Sequence, residues 1–231
     1  MTAPAQLVLW ISENVGFNPR AGKYSDALGE FVIIDLLQRS RAIAERMSAR
    51  GLEAELNADV STLSATRNVD LVVWATASAD SGRTPHIALE NKLILAAHGK
   101  ARKNRLGDIV AFSNHIHNAD RLAVAGGLIG INISPEYQNP DPFAAGMERR
   151  RFDMHKVVGD TIRIYERIPQ RDSPDDPYDR PEAFGVVVFS YDGKTPASLV
   201  TGAPAPQPGE PLHYDTFITR LVGLYERRRA A

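Results

Sequence analysis

The stretch LAVAGGLIGINIS, Leu122 to Ser134, is apolar at odd and even positions alike. A strand patterned this way has no side to offer water and must be covered on both faces. Around it, segments with strand character alternate with segments of helical periodicity, which favours an α/β fold over a barrel or a bundle. The expected architecture is a three-layer α/β/α sandwich around a central sheet.

From Ser25 to about Arg50 the residues Ala27, Leu28, Phe31, Ile34, Leu37 and Ile43 recur at three- and four-residue intervals. That spacing predicts one amphipathic helix, with Ser25 as N-cap and Gly51 as its stop. Leu52–Ala58 alternates apolar and polar and predicts a short strand, and Val69–Ala75 and His86–Leu93 predict two more. The link ATASADSGRTP between these last two is turn chemistry, and it is too short for a helical crossover. They should therefore pair antiparallel as a hairpin, making the sheet mixed. A helix is expected from Ile94 to about Asn118, preceded or interrupted near Gly99, with Leu106, Ile109, Val110 and Phe112 buried. Another is expected from Met147 to Ile168, followed by the acidic, proline-rich QRDSPDDPYDRPE, a strand FGVVVFS, and a closing helix Tyr214–Arg229.

The chain has 231 residues, 43% hydrophobic and 24% charged, and lacks the ~18 unbroken apolar residues of a membrane span. Its opening MTAPAQLVLWISENV has no secretory pattern, and there is no cysteine, so a soluble cytoplasmic protein is expected. Net charge is −1, so any grip on phosphate must be local. Lys92, Lys100, Arg102, Lys103 and Arg105 supply such a local field, opposed nearby by Glu90 and Asp108.

In the expected hairpin, Asp70 can face Glu90, and strand alternation puts Glu90 and Lys92 on one side. Phosphodiester hydrolysis needs a cation to neutralise developing charge, a nucleophilic water, and a group to orient that water. Two carboxylates and a lysine can supply these roles. With a main-chain carbonyl and waters completing the shell they suit Mg²⁺, with Mn²⁺ as substitute. The competing reading of Glu90 and Lys92 is an edge strand with solvated charges on one face.

Asp70 in VDLVVWA followed by Glu90-Asn91-Lys92 in HIALENKL resembles the PD-(D/E)XK nucleases, a superfamily that holds many restriction endonucleases. The order of a leading helix, a hairpin and a basic helix extends the resemblance over about residues 24–134, with 147–229 as an elaboration of one domain spanning 1–231. The resemblance implies a restriction endonuclease-like fold, Asp70 and Glu90 as metal ligands, and Lys92 positioning or activating water. Many members carry a glutamate on the leading helix, for which Glu30 is the candidate, with Asp35 on the same helix. The basic helix would flank the cut strand, so His98, Lys100, Arg102, Lys103 and Arg105 are the expected nucleic-acid contacts, and the wet face of an ordinary helix is their alternative.

Other strings carry less. Asp192-Gly193-Lys194 reads as a hairpin turn, with no acidic hairpin partner before it. His115 and His117 point about 200° apart on a helix, cannot share a metal there, and should lie exposed near its end. Arg149, Arg150 and Arg151 should open a helix, reaching DNA or solvent. Gly126-Gly127-x-x-Gly130 has the wrong spacing and setting for a dinucleotide fingerprint, and there is neither a P-loop nor a nucleophile elbow, so no nucleotide cofactor is expected. The expectation is thus a Mg²⁺-dependent DNA endonuclease like the type II restriction enzymes, working as a homodimer. A structure-specific or repair nuclease and a catalytically idle DNA-binding subunit are the alternatives.

Overall fold

The computed structural model describes residues 1–14, 23–76, 83–94, 98–134 and 153–229, with side chains omitted at 98–100. Within them, six helices and one six-stranded mixed sheet make an α/β fold. The elements are α1 (Ala3–Glu13), α2 (Lys23–Arg39), α3 (Arg41–Ser48), β1 (Leu52–Ser61), β2 (Thr66–Ala75), β3 (Thr84–Ile94), α4 (His98–Ala119), β4 (Val124–Asn132), α5 (Met154–Tyr165), β5 (Ala183–Ser190), β6 (Ser198–Leu199) and α6 (Tyr214–Arg229).

The strands lie in sequence order, β1 to β6. The β1–β2 and β2–β3 pairs are antiparallel, β3–β4 and β4–β5 parallel, and β5–β6 antiparallel. The hairpin expected from the short link is present, with Leu71 opposite Leu89 and Val73 opposite Ile87. Strand β3 therefore joins an antiparallel half to a parallel half. The two crossovers, through α4 and α5, step the same way across the sheet, and the right-handed rule then puts both helices on one face. Ile109 of α4 and Val158 and Ile162 of α5 share a core cluster with Ile129, Val186 and Val188. On the other side, Leu7 of α1, Val32 of α2 and Phe217 of α6 pack with Leu89, Leu128 and Val187. Every residue of β4 is buried, as the two-parity pattern requires.

Glycine in β4 serves this packing. A Cβ on Gly130 would meet Leu93 Cδ2 at 2.3 Å, and one on Gly126 would meet Leu89 Cδ2 at 2.6 Å. The apolar neighbours on β3 occupy the space a side chain would need.

Several boundaries differ from expectation for identifiable reasons. The single helix expected from Ser25 to Arg50 is two. Ser40 is extended at φ −125° and ψ 107°, its hydroxyl oxygen accepts from Ile43 N–H, and the hydroxyl donates to Glu226 Oε1 at 2.6 Å. The serine caps a new helix instead of continuing the old one. Helix α1 was not anticipated from the opening segment, although Leu7, Val8 and Ile11 are buried at helical spacing. Helix α5 begins at Met154, capped by Asp153, and the part of its expected range at 147–152, with Arg149, Arg150 and Arg151, lies outside the described residues. Asp192 makes the turn assigned to it: its Oδ1 accepts from Lys194 and Thr195 N–H, and Gly193 takes φ 83°.

Strand β1 runs past Ala58 to Ser61, and the reason lies in its pleat. Leu52 and Leu56 pack toward α2, whereas Ala58 and Val60, of the same parity, pack toward α4. Between them Asn57 adopts φ 51°, the left-handed region, which inverts the alternation. Across the ladder Leu71 and Val73 face α2 while Val69 joins Val72 and Trp74 against α4. The inversion on β2 falls at Asp70.

The expectation that His115 and His117 are exposed is corrected. His117 is buried, with Nε2 2.9 Å from Glu182 Oε2 and Nδ1 2.8 Å from Tyr178 O, and half-buried His115 lies 2.8 Å from Val60 O. Glu182 is a fully buried hub. Its Oε1 accepts from Arg171 and Arg228 at 2.8 Å each, and its Oε2 also accepts from Ala125 N–H at 2.8 Å. Burial alone would push its carboxyl up, yet the bond and charge of His117, with Arg228 and the Ala125 N–H, hold it below the ordinary range. This hub ties α4, β4, α6 and the 170–182 loop together. Glu182→Gln keeps the shape but leaves Arg171, fully buried, without counter-charge. It should lower unfolding free energy in urea by roughly 3–5 kcal/mol.

His86 supplies a pH-dependent term. Burial, then the charges of Arg229 and Arg46, lower its pKa from 6.5 to about 4. The unfolded chain therefore takes up a proton that the folded one refuses. Stability from this group is complete above pH 6.5 and is lost as pH falls toward 4, by about 3 kcal/mol in all. Urea unfolding at about pH 7 and about pH 4.5 should show a smaller acid loss in His86→Gln than in wild type.

Candidate active site at the β2–β3 divergence

The hairpin ladder between β2 and β3 runs from Ala75–Thr84 to Leu71–Leu89 and stops there. Beyond it β3 continues on β4, with Glu90 beside Gly127 and Lys92 beside Ile129. The edge of β3 facing β2 is thus left with a main-chain donor at Asn91 and no backbone acceptor. Asp70 fills the gap with its side chain: Oδ2 accepts from Asn91 N–H at 2.7 Å. The carboxylate sits at the pleat inversion, where the strands part.

Strand alternation sends Ile87 and Leu89 toward α2 and α6, and Ala88 and Ile94 toward the face that carries α4. Glu90 and Lys92 follow Ala88 and Ile94. Lys92 Nζ lies 3.0 Å from Asp70 Oδ2 and 2.9 Å from Glu90 Oε1. The structure therefore brings Asp70, Glu90 and Lys92 together, and it does so in a half-closed setting: side-chain exposures are 15%, 4% and 23%. Glu90 and Lys92 are not a solvated face, because Glu90 is buried and Lys92 half-buried.

A fourth group completes the cluster. Arg67, three residues before Asp70 on β2, donates from Nη2 to Glu90 Oε1 at 3.0 Å. Two carboxylates thus face two cations. Burial first, and then the charge of Asp70, pushes the Glu90 carboxyl above its ordinary value, against the opposing pull of Lys92 and Arg67. For Lys92, burial alone would lower the pKa, but the charges of Asp70 and Glu90 and their hydrogen bonds outweigh it and hold the ammonium above the usual lysine range.

The remaining acceptors bear on whether a cation fits. Glu90 Oε2 is buried and has no hydrogen-bond partner among the described residues. A bare buried carboxylate oxygen is costly unless a cation or water satisfies it. Its partner acid is close, since one ammonium touches both carboxylates. Among the described residues no group of three acidic or imidazole side chains could hold a metal ion. A divalent ion here would take Asp70 and Glu90 as its side-chain ligands, a donor set of hard oxygens that suits Mg²⁺ with waters retained. The residues present fit the ion.

Of the other expected site residues, none is bonded to this cluster among the described residues. Glu30 is exposed on α2, whereas Asp35 on the same helix is buried, accepting from Ala3 N–H and Tyr214 Oη at 2.8 Å each. Nothing gathers Glu30 with Asp70 and Glu90 into a three-acid group. The side chains of His98 and Lys100 lie outside the described residues. On α4, Lys103 is exposed, Arg102 is half-buried where Tyr165 Oη donates to its carbonyl, and Arg105 is paired with Asp108 at 2.9 Å. Sequence reasoning missed Arg67. Its only signal was a cation on the same strand as Asp70, which means nothing until the two strands are in register.

Comparison of the chain with protein-family models and with curated proteins gives no match.

Removing the ammonium should expose the repulsion it masks. Lys92→Met leaves Asp70 and Glu90 side by side and should destabilise the fold, by less than the roughly 3–5 kcal/mol of a fully buried pair because these groups are partly wet. Mg²⁺ should then raise the melting temperature of Lys92→Met more than that of wild type. Thermal melts in Mg²⁺ and in EDTA make the comparison.

Proposed function

We propose that this chain is a divalent-metal-dependent nuclease of the PD-(D/E)XK type with a restriction endonuclease-like fold, acting on DNA. The observation that carries this reading is the meeting of Asp70, Glu90 and Lys92 where β2 and β3 part, with Glu90 Oε2 buried and without a donor among the described residues. Asp70 and Glu90 would hold Mg²⁺ or Mn²⁺. Such an ion, when bound, would neutralise charge on the phosphate and acidify water beside it. Lys92, bonded to both carboxylates, would position or activate the attacking water and offset charge building on the phosphate oxygens.

Lys103 is exposed on α4 and Arg102 and Arg105 flank it half-buried, so this helix would lie along the cut strand and neutralise phosphates. With a net charge of −1 the rest of the molecule gives no bulk attraction to nucleic acid. Cutting both strands calls for two such sites, which a homodimer would provide.

The charge balance of the quartet supports a second reading. Two carboxylates already neutralised by Lys92 and Arg67 also make a stable cluster in a non-cleaving DNA-binding subunit.

Supercoiled plasmid and single-stranded DNA, each incubated with purified protein in Mg²⁺, Mn²⁺ or EDTA, separate the readings. Defined fragments indicate a restriction-like enzyme, cleavage governed by strand form indicates a structure-specific nuclease, and binding without cleavage indicates the subunit. Glu90→Ala and Asp70→Ala should each abolish cutting and keep DNA binding. Reversing charge at Arg102 and Lys103 should weaken binding and flatten its salt dependence. Undiminished cutting by Glu90→Ala ends the site assignment.

A further inference from the structure

Arg67 is held from several sides at once. Its Nη2 donates to Glu90 Oε1 at 3.0 Å and lies 3.5 Å from the carbonyl of Asp108 on α4. Its guanidinium carbon is 5.9 Å from the centroid of the Phe112 ring, and its Nε is buried. The planar head is therefore wedged between β3 and α4, with the stem on β2. A guanidinium so packed loses little further freedom in making its hydrogen bond, unlike an ammonium on a flexible stem.

What it grips matters more than how firmly. The last torsion of a glutamate is broad and nearly two-fold, so nothing in the backbone of β3 decides which oxygen of Glu90 faces the acid across the gap. Arg67 and Lys92 both fall on Oε1, and Oε2 is left buried and without a donor among the described residues. Lys92 is divided between Asp70 and Glu90, so it sets the spacing of the two acids. Arg67 bonds Glu90 alone of the two.

We propose, resting on the nuclease reading, that Arg67 is a positioning residue that locks the Glu90 carboxylate through Oε1 so that Oε2 is presented to a divalent cation shared with Asp70. It does not itself touch the cation. Removal of a nearby positive charge would by simple electrostatics strengthen cation binding. Loss of a positioning group weakens it, commonly by about 10–100-fold. The two accounts predict opposite signs.

The experiment is a titration of Mn²⁺ into the full chain without DNA, read by the electron paramagnetic resonance of the free ion, on wild type, Glu90→Ala, Arg67→Met and Arg67→Lys. Arg67→Met keeps an unbranched stem over Phe112 and removes every donor. Circular dichroism and melting establish that each variant is folded. The expected result is binding by wild type that Glu90→Ala abolishes, weakened about 10–100-fold in Arg67→Met and partly regained in Arg67→Lys. In cleavage assays at fixed Mg²⁺, kcat should fall in Arg67→Met while KM for DNA holds. Wild-type affinity, or tighter binding, in Arg67→Met overturns the positioning role and leaves the nuclease reading standing. Unchanged Mn²⁺ affinity with a raised KM for DNA also overturns it, making Arg67 a phosphate ligand. Absence of Mn²⁺ binding that depends on Glu90 overturns the nuclease reading and this inference with it. Should Arg67→Met fail to fold, Arg67→Lys decides alone: its charge is unchanged, so weaker binding supports positioning and equal binding overturns it.

Discussion

An ionised carboxylate in a strand covered on both faces stands in the fold only if its surroundings answer its charge, and Glu90 sets that requirement for the sheet. Its side chain is 4% exposed on the strand that joins the antiparallel and parallel halves. Answering it takes Lys92 from the same strand, Arg67 from the neighbouring one, and the Phe112 ring of α4 beneath Arg67. These groups come from separate elements, so Arg67 adds polar contacts to the apolar packing that seats the hairpin against α4. The same demand places Asp70: once β2 leaves the ladder, its carboxylate both accepts from the Asn91 main-chain N–H and shares Lys92.

The pleat inversion at Asn57 makes this geometry available. A regular β1–β2 ribbon would keep one parity on one face from end to end. Here the far half of the ribbon turns its apolar residues Ala58, Val60 and Val69 onto Phe112 and Ile116 of α4, while the near half faces α2. Asp70 sits at the changeover, and Arg67 is carried to the α4 side along with Val69. Asn57 itself is held by Asp26, which accepts from its Nδ2 at 2.9 Å, and its carbonyl accepts from Asn68 at 2.7 Å. A left-handed residue in mid-strand is thus braced from the helix that leads into the sheet.

How much of this was legible follows from which interactions are local. The hairpin could be read because eleven-odd residues of turn chemistry leave no room for a crossover, roughly the dozen or more that a parallel connection needs. The buried β4 could be read because both parities are apolar. Asp70, Glu90 and Lys92 could be brought together because two are neighbours on a strand and the third lies across a short turn. Arg67, by contrast, required the ladder's end point and the twist at Asn57, neither of which composition encodes. The Glu182 hub required contacts across 46 to 65 positions, from Arg228 and His117. His117 lies near a helix end, where exposure is the expectation, yet the Glu182 carboxylate draws it inward. Ser40 broke one expected helix for the same kind of reason: its hydroxyl answers Glu226, 186 positions away.

The charge balance of the quartet is compatible with the proposed cation, on grounds of valence. Lys92 and Arg67 together neutralise Asp70 and Glu90, but both bond the same oxygen of Glu90, and neither satisfies Oε2. A cluster evolved only for structural neutrality gains by spreading its donors over every buried lone pair, as Glu182 does with donors on both oxygens. The two buried glutamates among the described residues thus follow different patterns. Glu182 is saturated, and its carboxyl sits below the ordinary range although burial opposes this. Glu90 is crowded on one side and bare on the other, and its carboxyl is pushed up. An acceptor kept unsatisfied beside a second carboxylate, at a point where two strands open, is the arrangement that a hard divalent ion with its waters can complete.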